Sequence, residues 1–163
     1  MKKVNIAYLA GLFDGEGSIF IYRRNYYKKR HKKNFYLSPQ ITISNNNNYV
    51  LLVIKKWIGF GNVFSYKRKE MDHLTYRWSI SGIRRCLKFT KLLYGKCIIK
   101  NEQLKFMEEF CESRINRPNI FQKISSGKRK IPHRPPYNNR EFEIVKEIRK
   151  CNLEFSNKSR VEC

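Results

Sequence analysis

Acidic residues are scarce in this chain. Against 35 Lys and Arg there are only 13 Asp and Glu, which leaves a formal charge of +22 and an isoelectric point near 10.0 over 163 residues. Such an excess does not suit an ordinary small-molecule enzyme and calls for a polyanionic partner, nucleic acid foremost. An anionic membrane surface is the other candidate, but it is usually met by a basic amphipathic helix. Here the basic residues interleave with Tyr, Thr and Ser, which suits a groove better. Long apolar runs are missing too: nothing approaches the roughly 18 residues of a membrane span. The start, Met1-Lys2-Lys3, mimics a signal peptide, yet Asn5 and Tyr8 interrupt the apolar run and Asp14 and Glu16 follow it. No small-residue cleavage site is evident. An intracellular protein is expected, in a prokaryotic cytoplasm or an organelle matrix. The five cysteines (Cys86, Cys97, Cys111, Cys151, Cys163) form no C-x-x-C pair, so neither a zinc site nor disulfides are expected. The histidines, His31, His73 and His133, lie far apart, which removes a His-based metal nuclease. A two-carboxylate-plus-lysine nuclease needs [DE]-x-Lys, and no acidic residue here has Lys two positions on. Glu70 and Asp72 are spaced as a pair but sit in a basic turn, as surface salt-bridge partners would.

What is present reads as a single α+β domain, large enough for a real core. Ile19 and Ile21 alternate with Ser18, Phe20, Tyr22, Arg24 and Tyr26, which predicts a strand. A basic turn, Lys28-Lys29-Arg30-His31-Lys32-Lys33, follows; a solvated loop would read the same way. Phe35, Leu37, Pro39, Ile41 and Ile43 then alternate with Tyr36, Ser38, Gln40 and Thr42 in the clearest strand of the chain. Pro39 points to an edge or a bulge. Four asparagines from Asn45 precede a helix through Val50, Leu51, Ile54, Trp57 and Ile58 that Gly59 stops. Strands are expected over Asn62–Arg68 and Leu74–Ile80, with Tyr76, Trp78 and Ile80 inward and Thr75, Arg77 and Ser79 outward. Helices follow over Ile83–Tyr94 and Lys100–Arg114. Asn116 to Asn139 carries four prolines and Lys128-Arg129-Lys130 and reads as a linker. A last short helix capped by Asn139 would use Phe142, Val145 and Ile148, and the end is polar.

The stretch that organises the rest is Leu9-Ala10-Gly11-Leu12-Phe13-Asp14-Gly15-Glu16-Gly17. Ile6, Leu9, Ala10 and Phe13 make one apolar helical face. Ala7, Gly11 and Gly15 make a second face of very small residues. Glycine inside a helix costs about 1 kcal/mol relative to Ala, so a close approach to the backbone is the expected return. Asp14 and Glu16 then fall at the helix exit between glycines. A carboxylate beside an accessible carbonyl is suitable oxygen ligation for a hard divalent cation. An ordinary amphipathic helix ending in a Gly-Asx turn would share part of this pattern.

These nine residues closely resemble the signature of the LAGLIDADG homing endonucleases, with Phe13, Gly15 and Glu16 as conservative variants. The order of helices and strands is also similar to that family's over roughly the first 115 residues. The resemblance implies an αββαββα core over 1–115 with a four-stranded antiparallel DNA-binding sheet, and a basic linker and helical tail of the same domain over 116–163. It implies Glu16 as the essential metal-binding carboxylate, with the Gly15 carbonyl as a second ligand and Mg2+ or another divalent ion as the cofactor. Asn45 aligns where a water-ordering polar residue is usual, and Lys100 in Lys100-Asn101-Glu102-Gln103 where a lysine would stabilise charge at the scissile phosphate. A helix-start lysine with no such role would look the same, and Asn46 to Asn48 stand where relatives often place a basic residue. Only one motif is present, so a double-strand cut requires a homodimer, with Ala7, Gly11 and Asp14 at its interface. Double-stranded DNA would be the partner, with no membrane and no small-molecule cofactor. Base-reading candidates are Tyr22, Arg24, Tyr36, Ser38, Gln40, Thr42, Tyr66, Arg68, Thr75 and Arg77. Lys28, Lys29, Arg30, Lys128, Arg129 and Lys130 would meet phosphates. A site-specific, intron-encoded endonuclease on a long pseudo-palindromic target is the leading expectation. An RNA maturase or non-cleaving DNA-binding protein of the same fold is the alternative, and a basic RNA-binding structural protein a third.

Overall fold

A computed structural model gives the fold and describes residues 4–25, 35–67, 74–118, 120–122, 131–133 and 136–161. Helix α1 (Ile6–Glu16) starts where Asn5 Oδ1 accepts the Tyr8 N–H at 2.8 Å. It leads directly into β1 (Gly17–Asn25), which pairs antiparallel with β2 (Phe35–Asn45). Helix α2 (Asn48–Ile58) is capped by Asn47, whose side chain accepts the Tyr49 N–H, and ends on Gly59 in the left-handed conformation. Strands β3 (Asn62–Lys67) and β4 (Leu74–Ser81) complete one antiparallel sheet of order β1-β2-β4-β3. Helices α3 (Ile83–Leu93) and α4 (Asn101–Asn116) follow. The expected α+β core is therefore present, element for element, over the described residues.

Alternation decides the layers. Ile19, Ile21, Leu37, Ile41, Ile43, Trp78 and Ile80 point to one face of the sheet and are buried. The helices cover that face: Leu9, Ala10 and Phe13 of α1, Leu51 and Ile54 of α2, Phe89 and Leu93 of α3 and Leu104, Met107 and Phe110 of α4 join the same core. Phe89 is its hub, 5.2 Å from the Phe13 ring and 5.3 Å from Trp78. Trp57, expected on the apolar face of α2, is instead 42% exposed, because Leu51 and Ile54 define a narrower buried stripe.

Three expectations need correction. First, β2 is a central strand despite Pro39. Pro39 pairs with Ile21 of β1, and β4 reaches only as far as Gln40. The Pro39 carbonyl accepts from the Gly82 N–H, while the Gly82 carbonyl that an amide at position 39 would have met accepts from Cys86 N in the first turn of α3. The missing donor therefore costs no ladder bond. Second, the linker is not structureless: β5 (Ile120–Gln122) pairs antiparallel with β6 (Ile131–His133). Third, the last helix is long. Helix α5 (Asn139–Val161) runs 23 residues, since no Gly or Pro interrupts the sequence after Pro136. Its cap is Asn138 rather than Asn139: Asn138 Oδ1 accepts from Glu141 N at 2.8 Å while Glu141 Oε2 accepts from Asn138 N at 2.9 Å, a reciprocal capping box. Ile144, Val145 and Ile148 are buried, and Phe142 stays 37% exposed. Among the described residues no helix is long and apolar enough to cross a membrane.

Candidate nucleic-acid interface

The second face of the sheet is polar, and among the described residues no helix packs on it. Register places Ser18, Thr42, Ser79 and Asn62 in one row across the four strands, with Phe20, Gln40 and Ser81 on one side and Ser44, Arg77 and Phe64 on the other. Side chains here brace one another. Gln40 Nε2 donates to Ser79 Oγ at 2.8 Å, and Arg77 donates to Ser44 Oγ at 3.3 Å and to Tyr66 Oη at 3.1 Å. The Arg77 guanidinium also lies 4.5 Å from the Tyr66 ring centroid. Thr75 and Ser79, expected to face out, are on this face but only 8% exposed, because longer neighbours close over them. Thr75 Oγ1 donates to Asn46 Oδ1.

An open cleft of about 510 Å³ runs along this face to the end of α1 and is lined by Gly15, Glu16, Gly17, Ser18, Phe20, Tyr22, Gln40, Thr42, Ser44 and Arg77. Glu16 is the last residue of α1 and is exposed. The abrupt turn from helix to strand is made possible by Gly17, whose backbone N–H bonds Phe13 O. A Cβ at Gly17 would stand 2.3 Å from both the Phe13 ring and its carbonyl oxygen, so no other residue lets β1 leave the helix here without moving Phe13. The last helical carbonyls carry partial negative charge and lack intrahelical donors. Glu16 adds a carboxylate to them, with no basic residue in that last turn. Carboxylate plus carbonyls is a donor set for a hard cation. It is a partial one, since among the described residues no three His, Cys, Asp or Glu side chains converge.

Asp14 and Lys100 buttress this helix end from behind. Asp14 accepts from Ile98 N at 2.7 Å and from Lys100 N at 3.0 Å, tying α1 to the segment before α4. The Lys100 ammonium bonds the Asp14 carbonyl oxygen. Burial holds Lys100 below the usual lysine range, against the opposing pull of Asp14 and Glu16. Cys97 packs beneath, its thiol pushed up to about 12 by burial and by the Asp14 carboxylate.

The sequence candidates thus divide. Glu16, Gly15, Tyr22, Gln40, Thr42 and Arg77 meet in one cleft. Arg24, Tyr36 and Ser38 continue the same face along the β1–β2 ribbon, and Tyr66 and Thr75 the β3–β4 pair. Asn45 does not join them. It follows Ser44 on the strand, so it points to the helical side, and its Oδ1 is taken by the Asn47 N–H in the turn before α2. Ser44 is the cleft residue at that strand end. Ala7 and Gly11 lie exposed on α1, and a Cβ at Gly11 or Gly15 would meet nothing within 4 Å of this chain. Asp14 is spent on contacts within the chain. Lys28, Lys29, Arg30, Arg68, Lys128, Arg129 and Lys130 lie outside the described residues, as do Glu70 and Asp72. Ser18, Phe20, Ser44 and Phe64 were missed as candidates, although the same alternation that marks Tyr22 and Gln40 marks them.

The carboxylates are concentrated on two helices. Eight of the 13 carboxylates, Glu102, Glu108, Glu109, Glu112, Glu141, Glu143, Glu147 and Glu154, lie on α4 and α5. There they pair with local cations, as in Arg140–Glu109 at 2.7 Å and Lys91–Glu112 at 2.6 Å. The four strands of the sheet carry none. Cations next to α4 and α5 are paired on the spot; those of α2, α3 and the sheet have no carboxylate on their own element.

A family model described as LAGLIDADG endonuclease matches residues 9–113. Among solved structures, the chain is similar to the homing endonuclease I-CvuI in complex with a DNA target in the presence of Mg, with 19% identity, 68% of each chain covered and a TM-score of 0.56. It is similar to the homing endonuclease I-TnaI at 20% identity, covering 67% of this chain and 72% of that one, with a TM-score of 0.54. It is also similar to the LAGLIDADG meganuclease I-CpaMI bound to uncleaved DNA at 15% identity, covering 70% of this chain but 38% of that one, with a TM-score of 0.57. No curated protein sequence matches the chain.

Proposed function

The chain belongs to the LAGLIDADG endonuclease family, and from that premise we propose that it is a site-specific, divalent-metal-dependent double-strand DNA endonuclease acting as a homodimer. One observation carries the reading: an exposed carboxylate, Glu16, opens from a helix end into a cleft floored by the polar face of the sheet, where Arg77, Gln40, Thr42 and Ser44 offer hydrogen-bonding groups. That structures similar to this one are of homing endonucleases bound to DNA with Mg or Ca supports the same assignment. Residues 1–115 then act as the nuclease core and 116–163 as an extension of the same domain, and an intron-encoded protein working inside the cell suits the reading.

A divalent ion held by Glu16 and the Gly15 carbonyl would neutralise phosphate charge and activate water, and Mg2+ commonly completes its shell with substrate phosphates. The chain's own residues do the rest. Strand side chains enter the major groove, Arg77 being suited to guanine and Gln40 to adenine. Arg77 is oriented before DNA arrives by Ser44 and Tyr66, so little rotamer freedom is lost on binding. Asp14 and Lys100 fix the end of α1 and so the height of Glu16 above the sheet. Lys100 acts as a positioning residue and adds a buried positive charge behind the carboxylate. Ser44, the cleft residue at that strand end, takes the water-ordering role expected of Asn45.

One carboxylate site cuts one strand. The exposed Ala7, Gly11 and Gly15 face lets a second α1 approach closely, and Tyr8 at 49% and Ile98 at 93% exposure supply apolar area beside it. A two-fold dimer reads a pseudo-palindrome. The test is cleavage of a library of palindromic DNA sites by wild type and Glu16→Gln, with Mg2+ and with Ca2+. Cut products from the wild type with Mg2+ alone are expected. Specific binding by both proteins with no cutting under any metal would overturn the nuclease reading in favour of a maturase or regulator.

A further inference from the structure

Beyond Gln40 the β1–β2 ribbon has no third strand among the described residues. β4 ends at Ser81, opposite Gln40, whereas the ribbon continues from Ile21↔Pro39 to Asn25↔Phe35. A two-stranded ribbon alone is marginally stable in water. Yet this stretch carries Tyr22, Arg24, Tyr36 and Ser38, the outermost members of the base-facing surface.

Its support comes from the C-terminal segment. The Leu37 N–H, pointing to the side that β4 has vacated, donates to Tyr137 Oη at 2.8 Å. The Tyr137 ring stacks on Phe35 with centroids 5.9 Å apart, and Arg23 covers Phe35 at 4.0 Å. Tyr137 is itself held from α4: the Arg114 guanidinium sits 4.4 Å from its ring centroid. Arg114 and Arg117 both pair with Glu141, which is fully buried and caps α5. Arg117 also donates to Pro136 O at 2.8 Å. Farther along α5, Asn152 Nδ2 donates to Ile19 O on the free edge of β1 at 3.0 Å. The ribbon is thus gripped at its outer part through Tyr137 and at its base through Asn152.

We propose that the segment from Pro136 to Asn152 is a strut that fixes the pose of the outer ribbon, and that Tyr137 is a positioning residue for base reading by Tyr22, Arg24, Tyr36 and Ser38. The proposal rests on the DNA-reading function above. Five strand residues span about 16 Å, so a tilt of roughly 10° at Gln40 moves the far end by ~3 Å, enough to break a base-edge hydrogen bond. Releasing the strut therefore relaxes selectivity at the outer base pairs of each half-site. The inner pairs, read by Gln40, Thr42 and Arg77 where β4 supports the sheet, are unaffected.

Tyr137→Phe in the full-length protein removes the hydroxyl and keeps the ring, and Tyr49→Phe, an exposed hydroxyl on α2, is the control. Two readouts are needed: amide exchange at Leu37 and Ile41 in the free protein, and a position-resolved cleavage profile over variants of the selected site. Tyr137→Phe is expected to quicken Leu37 exchange about tenfold with Ile41 unchanged. Discrimination at the outer base pairs is expected to fall by about tenfold with the inner pairs intact. Unchanged Leu37 exchange overturns the strut. Faster exchange with selectivity lost evenly across the site, or nowhere, overturns the role in reading. If wild type neither binds nor cuts any DNA, the nuclease reading has failed, and the Leu37 exchange still decides the strut by itself.

Discussion

Asp14 and Glu16 are two residues apart, and the structure assigns them opposite tasks. Asp14 accepts two backbone N–H groups across the α1–α4 junction, at 2.7 and 3.0 Å, and neighbours the buried Lys100 ammonium. Hydrogen bonds to a charged group are worth roughly 1.5–3 kcal/mol each, and one of these two is solvent-accessible, so Asp14→Ala should cost about 3 kcal/mol. Glu16 is exposed at a helix C-terminus, where the macrodipole disfavours a carboxylate by about 0.3–1 kcal/mol. Glu16→Gln should therefore leave stability unchanged or raise it by a few tenths of a kcal/mol, the attraction to Lys100 limiting the gain. Urea unfolding at one fixed protein concentration reads both. The Asp14 variant should lose about 1–2 M in midpoint, and the Glu16 variant should lose none while losing cleavage. A loss of more than about 1 kcal/mol in Glu16→Gln would show that Glu16 supports the fold and would refute this division of labour.

Other consequences follow from the same geometry. Gly17→Ala places a methyl 2.3 Å from Phe13 and should destabilise by about 3 kcal/mol in the same assay. A Cβ at Gly11 meets nothing within 4 Å of its own chain, so with Gly11→Leu the fold should survive while sedimentation shows a monomer and cleavage disappears. The thiols of Cys86 and Cys97 are pushed up to about 12 by burial, and that of Cys111 is raised as well. Their neutral forms contribute stability that is full below the unfolded value near 9 and is lost as pH rises from there towards 12, so stability should fall above pH 9 and fall less steeply in Cys86→Ala. Arg77→Lys keeps the charge but loses the guanidinium fork held by Ser44 and Tyr66. It should relax selectivity at one base pair per half-site by ~10-fold in a cleavage profile, with little change in salt dependence.

Much of this was legible from local rules. Alternation in Phe35–Ile43 and Leu74–Ile80 reports which face of a strand is buried, and the asparagine run before α2 and Gly59 after it mark that helix. The glycine-acid stretch located α1 and the cleft because Gly17 can be explained by nothing but a tight exit. What escaped the sequence depends on contacts between distant residues. Pro39 was ambiguous because its tolerance rests on where β4 ends, and α3 consumes the carbonyl it would have needed. Asn45 aligned with a functional position, but the register of β2 turns it to the helical side. Lys100 is buried, with its ammonium on the Asp14 carbonyl at the end of α1, a contact across 86 positions that no local pattern shows. The tail gave a linker's signature through its prolines, while its structure arises from Glu141, Tyr137 and Asn152 reaching residues up to 133 positions away.

The central claim is that each chain contributes one strand-cutting site, with Glu16 at its heart. Wild type and Glu16→Gln, refolded together in equal parts, should be tested on a supercoiled plasmid carrying the selected site. Mixed dimers then hold one working site, and nicked circles should appear that neither parent protein alone produces in quantity. Loss of all cleavage in proportion to the mutant fraction, or linear product from the purified mixed dimer, would contradict the account.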